Sequence, residues 1–271
     1  MMQRHVAAGE PPPLDDLRVA VTGRTSGLGR ALVGELWRRG ARVAFVARSG
    51  ERVQAVAREH PGTYGIVGDV ARKEDIHPIA LQIVENLGGL DVLVNNASSL
   101  GPVPLALLGD TACEDFEVAL ATNVLGPFRL TKALLGSLSA SARGGRGAVV
   151  LNVSSDAAVT PYPRWGAYGA SKAALGHMTR IWDEELAGAG VRCLTVDPGD
   201  MDTPLHAAAV PDADPATLEA PEVAARELAE AIAFALRRPG AAATYASPGV
   251  AAPSTASQAA DAIALSGGSR P

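Results

Sequence analysis

Short valine-rich apolar runs alternate along the chain with longer segments in which apolar residues recur at helical spacing. Runs of this kind are typical of strands that are buried on both faces of a parallel sheet. They predict strands at Arg18–Val21, Arg42–Val46, Thr63–Val67, Val92–Val94, Ala148–Val153, Arg192–Val196 and, more weakly, Thr244–Ala246. The intervening segments predict helices, including Arg30–Arg39, Glu51–Arg58, Ile76–Asn86, Thr111–Leu125 running into Phe128–Ala140, and Tyr168–Ala187. Strict alternation of the two predicts an α/β fold with helices on both faces of the sheet.

Proline and small residues mark the interruptions and the ends of this pattern. Gly126-Pro127 should kink or restart the helix in which it lies, because proline lacks an amide hydrogen. Residues 1–13 are polar and proline-rich without an apolar leader core, and Ser247–Pro271 is mostly Ala, Ser, Gly and Pro. We therefore expect a flexible arm at residues 1–16, one domain at residues 17–246, and a low-complexity tail at residues 247–271.

Composition excludes several classes of partner. With 271 residues, 47% of them hydrophobic, the chain is long enough for one sizeable core. A net charge of −5 without a basic stripe argues against nucleic acid, and the absence of an apolar run of about 18 residues argues against a membrane partner. Cys113 and Cys193 stand alone in the sequence, which predicts two buried thiols in a cytoplasmic protein. Five scattered histidines indicate no metal site.

A glycine-rich turn follows the first predicted strand and leads into a helix. The segment Thr22-Gly23-Arg24-Thr25-Ser26-Gly27-Leu28-Gly29 has glycines at the first, fifth and seventh positions counted from Gly23. Glycines let the backbone approach a phosphate group, and the N-terminus of a helix offers free N–H groups and a positive dipole end. This arrangement predicts a cradle for a dinucleotide.

Tyr168 and Lys172 are four residues apart on a predicted helix, so both side chains lie on one face. A free tyrosine titrates near pH ~10 and is a poor base at neutral pH. A nearby ammonium group favours the phenolate and should lower the pKa of Tyr168. The pair is a candidate proton-transfer device, although such pairs also occur by chance on solvated helices.

Together, these motifs and further landmarks from about Leu17 to Ala246 resemble the short-chain dehydrogenase/reductase family. Those landmarks are, in order, Asp69-Val70, Asn95-Asn96-Ala97, Asn123, Ser155 thirteen residues before Tyr168, and Pro198-Gly199-Asp200-Met201-Asp202-Thr203. Ser98 stands where the family pattern has a glycine. The resemblance implies a single Rossmann-like, doubly wound parallel sheet of about seven strands and a hydride transfer between nicotinamide and a carbonyl or secondary alcohol.

The resemblance also implies the site residues. Tyr168 would exchange the proton, Lys172 would lower its pKa and hold the nicotinamide ribose, Ser155 would bind the reacting oxygen, and Asn123 would position a relay water. The cofactor would be held by Gly23, Arg24, Ser26, Gly27, Leu28, Gly29, Arg48, Ser49, Asp69, Val70, Asn96, Tyr168, Lys172, Pro198, Gly199, Met201 and Thr203. Ser155 and Asn123 could instead be a strand-end cap and a helix hydrogen-bonding residue, and Asp69 a turn residue.

The charge at the end of the second predicted strand favours NADP(H). Ala47 stands where an NAD-preferring relative usually has an aspartate, and Arg48 follows with a guanidinium group suited to a 2′-phosphate. Arg24 could supply a second positive charge, although both arginines could be solvated surface residues. We expect an NADPH-dependent ketoreductase of biosynthetic or secondary metabolism that reduces a ketone or aldehyde. The alternatives are an NAD-dependent alcohol dehydrogenase and a non-catalytic dinucleotide sensor.

The substrate is less well specified. Residues about 200–222 coincide with the family's substrate lid, and Ser155, Tyr162, Trp165, Leu205 and His206 are candidate substrate contacts. Trp165 could equally be a packing residue, and His206 a surface residue. The family habit implies a homodimer through the helices bearing Asn123 and Tyr168, whose alanine-rich face could also be an internal contact. A family Asp-Gly-Gly segment for tetramer assembly is missing from this sequence.

Overall fold

Six parallel strands form the central sheet of the computed structural model, which describes residues 14–23 and 26–237. The strand order is β3-β2-β1-β4-β5-β6. The strands are β1 (Arg18–Thr22), β2 (Arg42–Ala47), β3 (Tyr64–Val67), β4 (Val92–Asn95), β5 (Ala148–Val153) and β6 (Val191–Val196). All six match predicted strands to within one or two residues. The weaker seventh strand, the N-terminal arm up to residue 13 and the tail at residues 247–271 lie outside the described residues.

Helices cover both faces of this sheet, as the alternating pattern predicts. They are α1 (Leu28–Arg38), α2 (Gly50–Glu59), α3 (Lys73–Leu87), α4 (Cys113–Leu120), α5 (Gly126–Arg143), α6 (Gly166–Leu186), α7 (Pro204–Ala209) and α8 (Pro221–Arg237). Successive residues of β2 show the division: Phe45 packs with the core under α1, α2 and α8, and Val46 with the core under α3 and α5. Side chains alternate across a strand, so an apolar run with both faces buried produces a doubly wound fold.

Two helix predictions and one cysteine prediction differ from the structure. The predicted helix at Thr111–Leu125 is interrupted by a π-helical turn at Ala121–Leu125, directly before the Gly126-Pro127 pair that indicated a break. Helices α7 and α8 were not singled out by the sequence analysis, although Pro221 and Glu222 in the first turn of α8 are start signals. Cys193 is buried as expected, whereas the prediction for Cys113 was wrong: it is exposed because it lies on the first turn of α4.

A buried carboxylate joins the amino ends of the central strands. Asp91, which directly precedes β4, is fully buried and accepts hydrogen bonds from Arg18, Arg146 and Ser141. The two guanidinium groups hold the pKa of Asp91 well below its usual range, against the opposing effect of burial. This cluster ties β1, β4 and the loop before β5 together at the edge opposite the candidate site.

Candidate active site

Polar residues gather at the carboxyl edge of the sheet, where β1, β4, β5 and β6 end. Thr22 ends β1 and Asn95 ends β4, while Ser154 and Asp197 directly follow β5 and β6. The strand order reverses between β1 and β4, so the connections leave in opposite directions and a crevice opens between them. Ligands of open α/β sheets bind in such a crevice.

Gly23 allows β1 and β4 to approach at this point. The Asn96 side chain donates a hydrogen bond to the Thr22 carbonyl at 3.0 Å, and the Asn96 backbone N–H donates to Thr22 Oγ1 at 3.2 Å. Gly23 has a φ of +111°, and a Cβ atom there would lie 2.5 Å from Asn96 Nδ2. A side chain is therefore excluded on both conformational and steric grounds. Asn96, predicted as a cofactor residue, holds the glycine turn in place.

The N-terminus of α1 opens into the crevice without a side chain to cap it. Gly27 is the N-cap residue with a φ of +58°, and the first turn contains no acidic residue. The N–H groups of this turn and the positive end of the helix dipole are thus available to an anion. Ser26, Leu28 and Gly29 lie at the same turn as predicted, whereas Arg24 lies outside the described residues.

Two connected parts make up the crevice. We name the part beside Tyr168, with a volume of about 250 Å³, the tyrosine cleft, and the part beside Arg48, with a volume of about 630 Å³, the arginine cleft. Residues shared by both linings are Ser98, Leu100, Pro204 and Leu205. Predicted cofactor residues in the tyrosine cleft are Ser26, Gly27, Leu28, Gly29, Asn96, Tyr168, Lys172, Pro198, Gly199, Met201 and Thr203. Those in the arginine cleft are Gly23, Arg48, Ser49, Asp69 and Val70.

The Tyr168, Lys172 and Ser155 side chains meet at the tyrosine cleft. Lys172 is fully buried, donates a hydrogen bond to the Val153 carbonyl at 2.8 Å, and has its Nζ atom 5.4 Å from the centroid of the Tyr168 ring. Gly169 allows this meeting because a Cβ atom there would lie 2.8 Å from the Ala157 carbonyl oxygen. The helix can thus approach the short turn that follows Ser155.

Burial determines the protonation of this pair. Together with the smaller effect of the Asp197 and Asp156 carboxylates, it raises the pKa of Tyr168 to about 12. The nearby hydroxyl groups of Ser98 and Ser155 oppose this rise in the pKa. Burial likewise lowers the pKa of Lys172 to about 8. The pKa of Tyr168 is thus raised and not lowered as predicted, because desolvation is the largest effect on it, and Tyr168 is a neutral phenol at pH 7.

Asn123 lies behind the cleft instead of in its wall. The side chain is fully buried in the π-helical turn, donates to the Ser99 carbonyl and to Ser171 Oγ, and accepts from the Ser99 N–H, each at 2.8 Å. It joins the loop after β4 to the helix that carries Tyr168 and Lys172. The predicted role in positioning a relay water stays a prediction.

Positive charge is concentrated in the arginine cleft. Arg48 is largely exposed, and its Nη1 atom lies 4.0 Å from the Asp69 carboxylate. Ser49 caps α2 by accepting a hydrogen bond from the Arg52 N–H at 3.4 Å. Arg52 lines the same cleft and was missed by the sequence analysis. Its position one turn after Arg48, at the start of a helix, is the signal that could have identified it.

The predicted substrate contacts divide into those that line the tyrosine cleft and one that does not. Trp165, Leu205 and His206 line it, and the Trp165 ring lies edge-on to that of Tyr168 at 5.6 Å. Tyr162 is outside the lining and instead donates a hydrogen bond to Asp156 Oδ2 at 2.6 Å. Asp156 also accepts a hydrogen bond from Ser155 at 3.0 Å, so this carboxylate links Tyr162 to Ser155.

The segment predicted as a lid is closed at its base. Met201 pairs with Glu219, and the Asp202 N–H donates to the Glu219 carbonyl at 2.9 Å. Helix α7 lies between these two points, with Thr203 as its N-cap, and Leu205 packs against the small apolar cluster that contains Leu100 and Tyr168. The segment therefore covers both clefts from one side.

The lining residues that were not selected from the sequence include Ser98, Asp156, Asp197 and Asp200 in the tyrosine cleft and Arg52 in the arginine cleft. Each directly follows or lies close to a landmark that was selected, so position next to a motif was the available signal. No group of three metal-ligating side chains occurs in residues 14–23 and 26–237, nor does a helix long and apolar enough to cross a membrane.

The chain resembles known oxidoreductases along most of its length. Residues 18–214 match the family model described as short chain dehydrogenase. The 2-(R)-hydroxypropyl-CoM dehydrogenase of Xanthobacter autotrophicus is 35% identical over 194 residues, which cover 69% of this chain and 76% of that protein. A short chain dehydrogenase from Burkholderia cenocepacia in complex with NADP superimposes with a TM-score of 0.71 at 28% identity, covering 81% of this chain and 91% of that one. A 3-ketoacyl-(acyl-carrier-protein) reductase from Brucella melitensis complexed with NADH gives a TM-score of 0.74 at 28% identity, covering 82% and 90%.

Proposed function

We propose that this chain, which belongs to the short chain dehydrogenase family, is an NADPH-dependent oxidoreductase that reduces a ketone or aldehyde to an alcohol. The observation that carries the proposal is the meeting of Tyr168, Ser155 and Lys172 in one cleft that continues to Arg48 and Arg52. A nicotinamide dinucleotide, the cofactor of this family, fits that cleft. The uncapped helix N-terminus would bind its pyrophosphate, and the turn at Gly23 excludes any side chain.

Reduction of a carbonyl group requires a hydride at carbon and a proton at oxygen. A nicotinamide bound in the tyrosine cleft would supply the hydride. Tyr168 would donate the proton, since its pKa of about 12 keeps the phenol protonated at neutral pH. Ser155 would donate a hydrogen bond to the same oxygen and stabilise the charge that develops there. To do so, it must turn its hydroxyl hydrogen away from Asp156, to which it now donates.

Lys172 would bind the nicotinamide ribose and replace the proton that Tyr168 gives up. Its ammonium group is held at full burial by one backbone carbonyl, that of Val153, and a pKa of about 8 leaves it charged at pH 7 but ready to release a proton. A lysine in this state is a better proton donor to a phenolate than one at its ordinary pKa of 10.5.

The cofactor preference rests on charge at the far end of the cleft. Arg48 and Arg52 offer two guanidinium groups to a 2′-phosphate, and neither side chain is buried. One observation favours the second candidate, an NAD-dependent alcohol dehydrogenase: Asp69 lies 4.0 Å from Arg48 and offsets part of its charge. The similar structures from Burkholderia and Brucella were solved with NADP and NADH respectively, so both cofactors occur among neighbours.

Titration of the purified protein with NADPH and with NADH, followed by nicotinamide fluorescence, tests the cofactor assignment. We expect NADPH to bind at least tenfold more tightly, and Arg48→Ala to weaken NADPH binding about tenfold with little effect on NADH. Arg58→Ala, at the other end of α2, is the matched control and should change neither. Equal losses for both cofactors in Arg48→Ala would contradict the phosphate role, and binding of neither cofactor would favour a different function for the fold.

A homodimer through α5 and α6 is part of the proposal. Ala170, Ala173 and Ala174 of α6 are exposed, so they are not the internal contact that the sequence left open. Leu125, Phe128 and Ile181 are exposed apolar residues of the same helical layer. Light scattering should give twice the chain mass, and Ala173→Arg should reduce it to the mass of one chain. The cytoplasmic location stays a prediction.

A further inference from the structure

The charge distribution in the tyrosine cleft is informative about the substrate. Three carboxylates line it, those of Asp156, Asp197 and Asp200. Among the described residues of this lining, the side chains that can carry positive charge are Lys172 and His206. Tyr168, Ser155 and the N-terminus of α1 identify this cleft as a site independently of the carboxylates. The carboxylates are part of its wall.

The three carboxylates lie close enough to influence one another and Tyr168. Burial raises the pKa of Asp197, and the charges of Asp156 and Asp200 raise it further. Asp156 and Asp197 also raise the pKa of Tyr168, which means that they disfavour an anion at the reacting position. The electrostatic field that disfavours the phenolate would also disfavour a carboxylate or phosphate group on a substrate at this position.

The cations of the lining offset this charge only in part: the Asp197 carboxylate attracts the Lys172 ammonium and raises its pKa against the effect of burial. The Lys172 ammonium is fully buried beneath Tyr168 and bonded to the Val153 carbonyl. His206 Nε2 lies 3.7 Å from Asp200 Oδ1, and Asp200 itself is largely exposed at the mouth of the cleft. Arg164, a cationic residue in the loop between Ser155 and Tyr168, lies outside the lining of both clefts.

Carboxylates accept hydrogen bonds and donate none, so they select a substrate by its donors. Asp156 is held beside Ser155 by the 3.0 Å bond from that serine and the 2.6 Å bond from Tyr162. An acceptor is therefore fixed next to the place where the carbonyl oxygen would bind. Asp200, at the start of the lid segment, provides a second acceptor nearer to solvent.

We infer that the substrate carries hydroxyl or ammonium groups near the reacting carbon and no carboxylate or phosphate there, with Asp156 and Asp200 as the residues that determine this specificity. The inference rests on the proposed function, because it concerns the substrate of the same site. It separates neutral polyols and amines from keto acids and sugar phosphates, which would bring negative charge into the cleft.

Four acetophenones that differ only at the para position test this inference with NADPH. Their substituents are hydrogen, hydroxymethyl, aminomethyl and carboxylate, and kcat/KM is measured for each. We expect the hydroxymethyl and aminomethyl ketones to be reduced roughly 10- to 100-fold more efficiently than the carboxylate. Relative to the unsubstituted ketone, the aminomethyl ketone should lose its advantage as salt rises and the hydroxymethyl ketone should keep its own, which distinguishes an ammonium substrate from a hydroxyl substrate.

The variants Asp156→Asn and Asp200→Asn should each raise the relative kcat/KM of the carboxylate probe about tenfold. Asp202→Asn is the matched control, because it removes the same charge two residues from Asp200 at an exposed position outside both linings. The inference would be overturned if the wild type reduced the carboxylate probe as well as the hydroxymethyl probe. It would also be overturned if the relative kcat/KM of the carboxylate probe were unchanged in both variants. If no probe is reduced, saturation-transfer NMR on the NADP-bound protein gives the order in which the four probes bind. The inference is overturned equally if the carboxylate probe binds as well as the others.

Failure of the proposed function would look different. In that case, the protein would not bind NADPH, so that neither reduction of the four ketones nor their binding to the NADP-bound protein could be measured. Failure of the specificity inference leaves cofactor binding intact and shows only the wrong order among the probes.

Discussion

Replacing Lys172 by methionine should remove activity and at the same time stabilise the protein at neutral pH. The lysine is fully buried, and burial lowers its pKa from 10.5 to about 8. Since a tenfold change in a protonation constant corresponds to about 1.4 kcal/mol, keeping this ammonium in the fold costs about 3 kcal/mol at pH 7. Methionine has a similar length and carries no charge. The Val153 carbonyl loses its donor, which costs about 1–3 kcal/mol. The net expectation is a gain of about 1 kcal/mol.

The pH dependence of this effect has a definite sign. Between pH 8 and pH 10.5, the folded lysine loses its proton while the unfolded lysine keeps it. The unfolded state then binds more protons, so the stability of the wild-type protein rises with pH in this window. By pH 9.5, the free energy of unfolding of the wild type is higher than at pH 7 by about 2 kcal/mol. The variant should therefore be the more stable protein at pH 7 and the less stable protein at pH 9.5, by about 1 kcal/mol each way.

Urea denaturation of both proteins without cofactor, at pH 7 and pH 9.5, measures the difference through the midpoint, provided that the slope m is unchanged. Lys73→Met, at an exposed position on the first turn of α3, is the control and should show no change with pH. A stability difference between Lys172→Met and the wild type that is the same at both pH values would refute the reasoning. NADPH should also raise the midpoint of the variant less than that of the wild type.

Three further predictions follow from single contacts. Tyr168→Phe should lower kcat/KM by about 10³-fold, because the proton donor is lost, while NADPH affinity by fluorescence titration stays within about threefold. Asp91→Asn should destabilise the protein by about 3 kcal/mol at pH 7, because two guanidinium groups lose their buried partner. The stabilisation by Asp91 is present above its unfolded pKa of about 3.9 and is lost as pH falls toward its depressed folded pKa, which acid denaturation measures. Gly23→Ala should lower both stability and dinucleotide affinity, because the new Cβ atom would lie 2.5 Å from Asn96 Nδ2. Gly62→Ala, at a φ of +90° with open space around it, isolates the cost of the backbone conformation.

Each of these has an outcome that would contradict it. Full turnover by Tyr168→Phe would exclude that residue as the proton donor. A stability loss in Asp91→Asn that does not shrink between pH 7 and pH 3 would mean that its charge is unimportant. If Gly23→Ala and Gly62→Ala lost equal amounts of stability and dinucleotide affinity, backbone strain alone would explain both variants. The contact of the new Cβ atom with Asn96 would then have no effect.

The sequence by itself determined the six strands and their parallel arrangement. It also singled out Ser155, Tyr168 and Lys172, the side chains that meet at the tyrosine cleft. These depend on local periodicity and on motifs such as the glycine turn before Leu28 and the pair Tyr168 and Lys172, which a few neighbouring residues are enough to define. Polar residues also follow several of the strands directly in the sequence. The carboxyl ends of parallel strands meet at one edge of the sheet whatever the details of packing.

Tertiary structure alone decided how those residues behave. Desolvation, which depends on the surroundings of a group and not on its spacing, kept the pKa of Tyr168 high despite the nearby lysine. Asn123 was bound by Ser99 and Ser171, and Tyr162 by Asp156, through contacts that the spacing of these residues does not specify. Asp156, Asp197 and Asp200 lie up to 44 residues apart in sequence yet line one cleft, since the ends of β5 and β6 are neighbours. Local pattern specifies elements and motifs, whereas protonation, hydrogen-bond partners and cleft charge arise from long-range contacts that only the folded chain brings together.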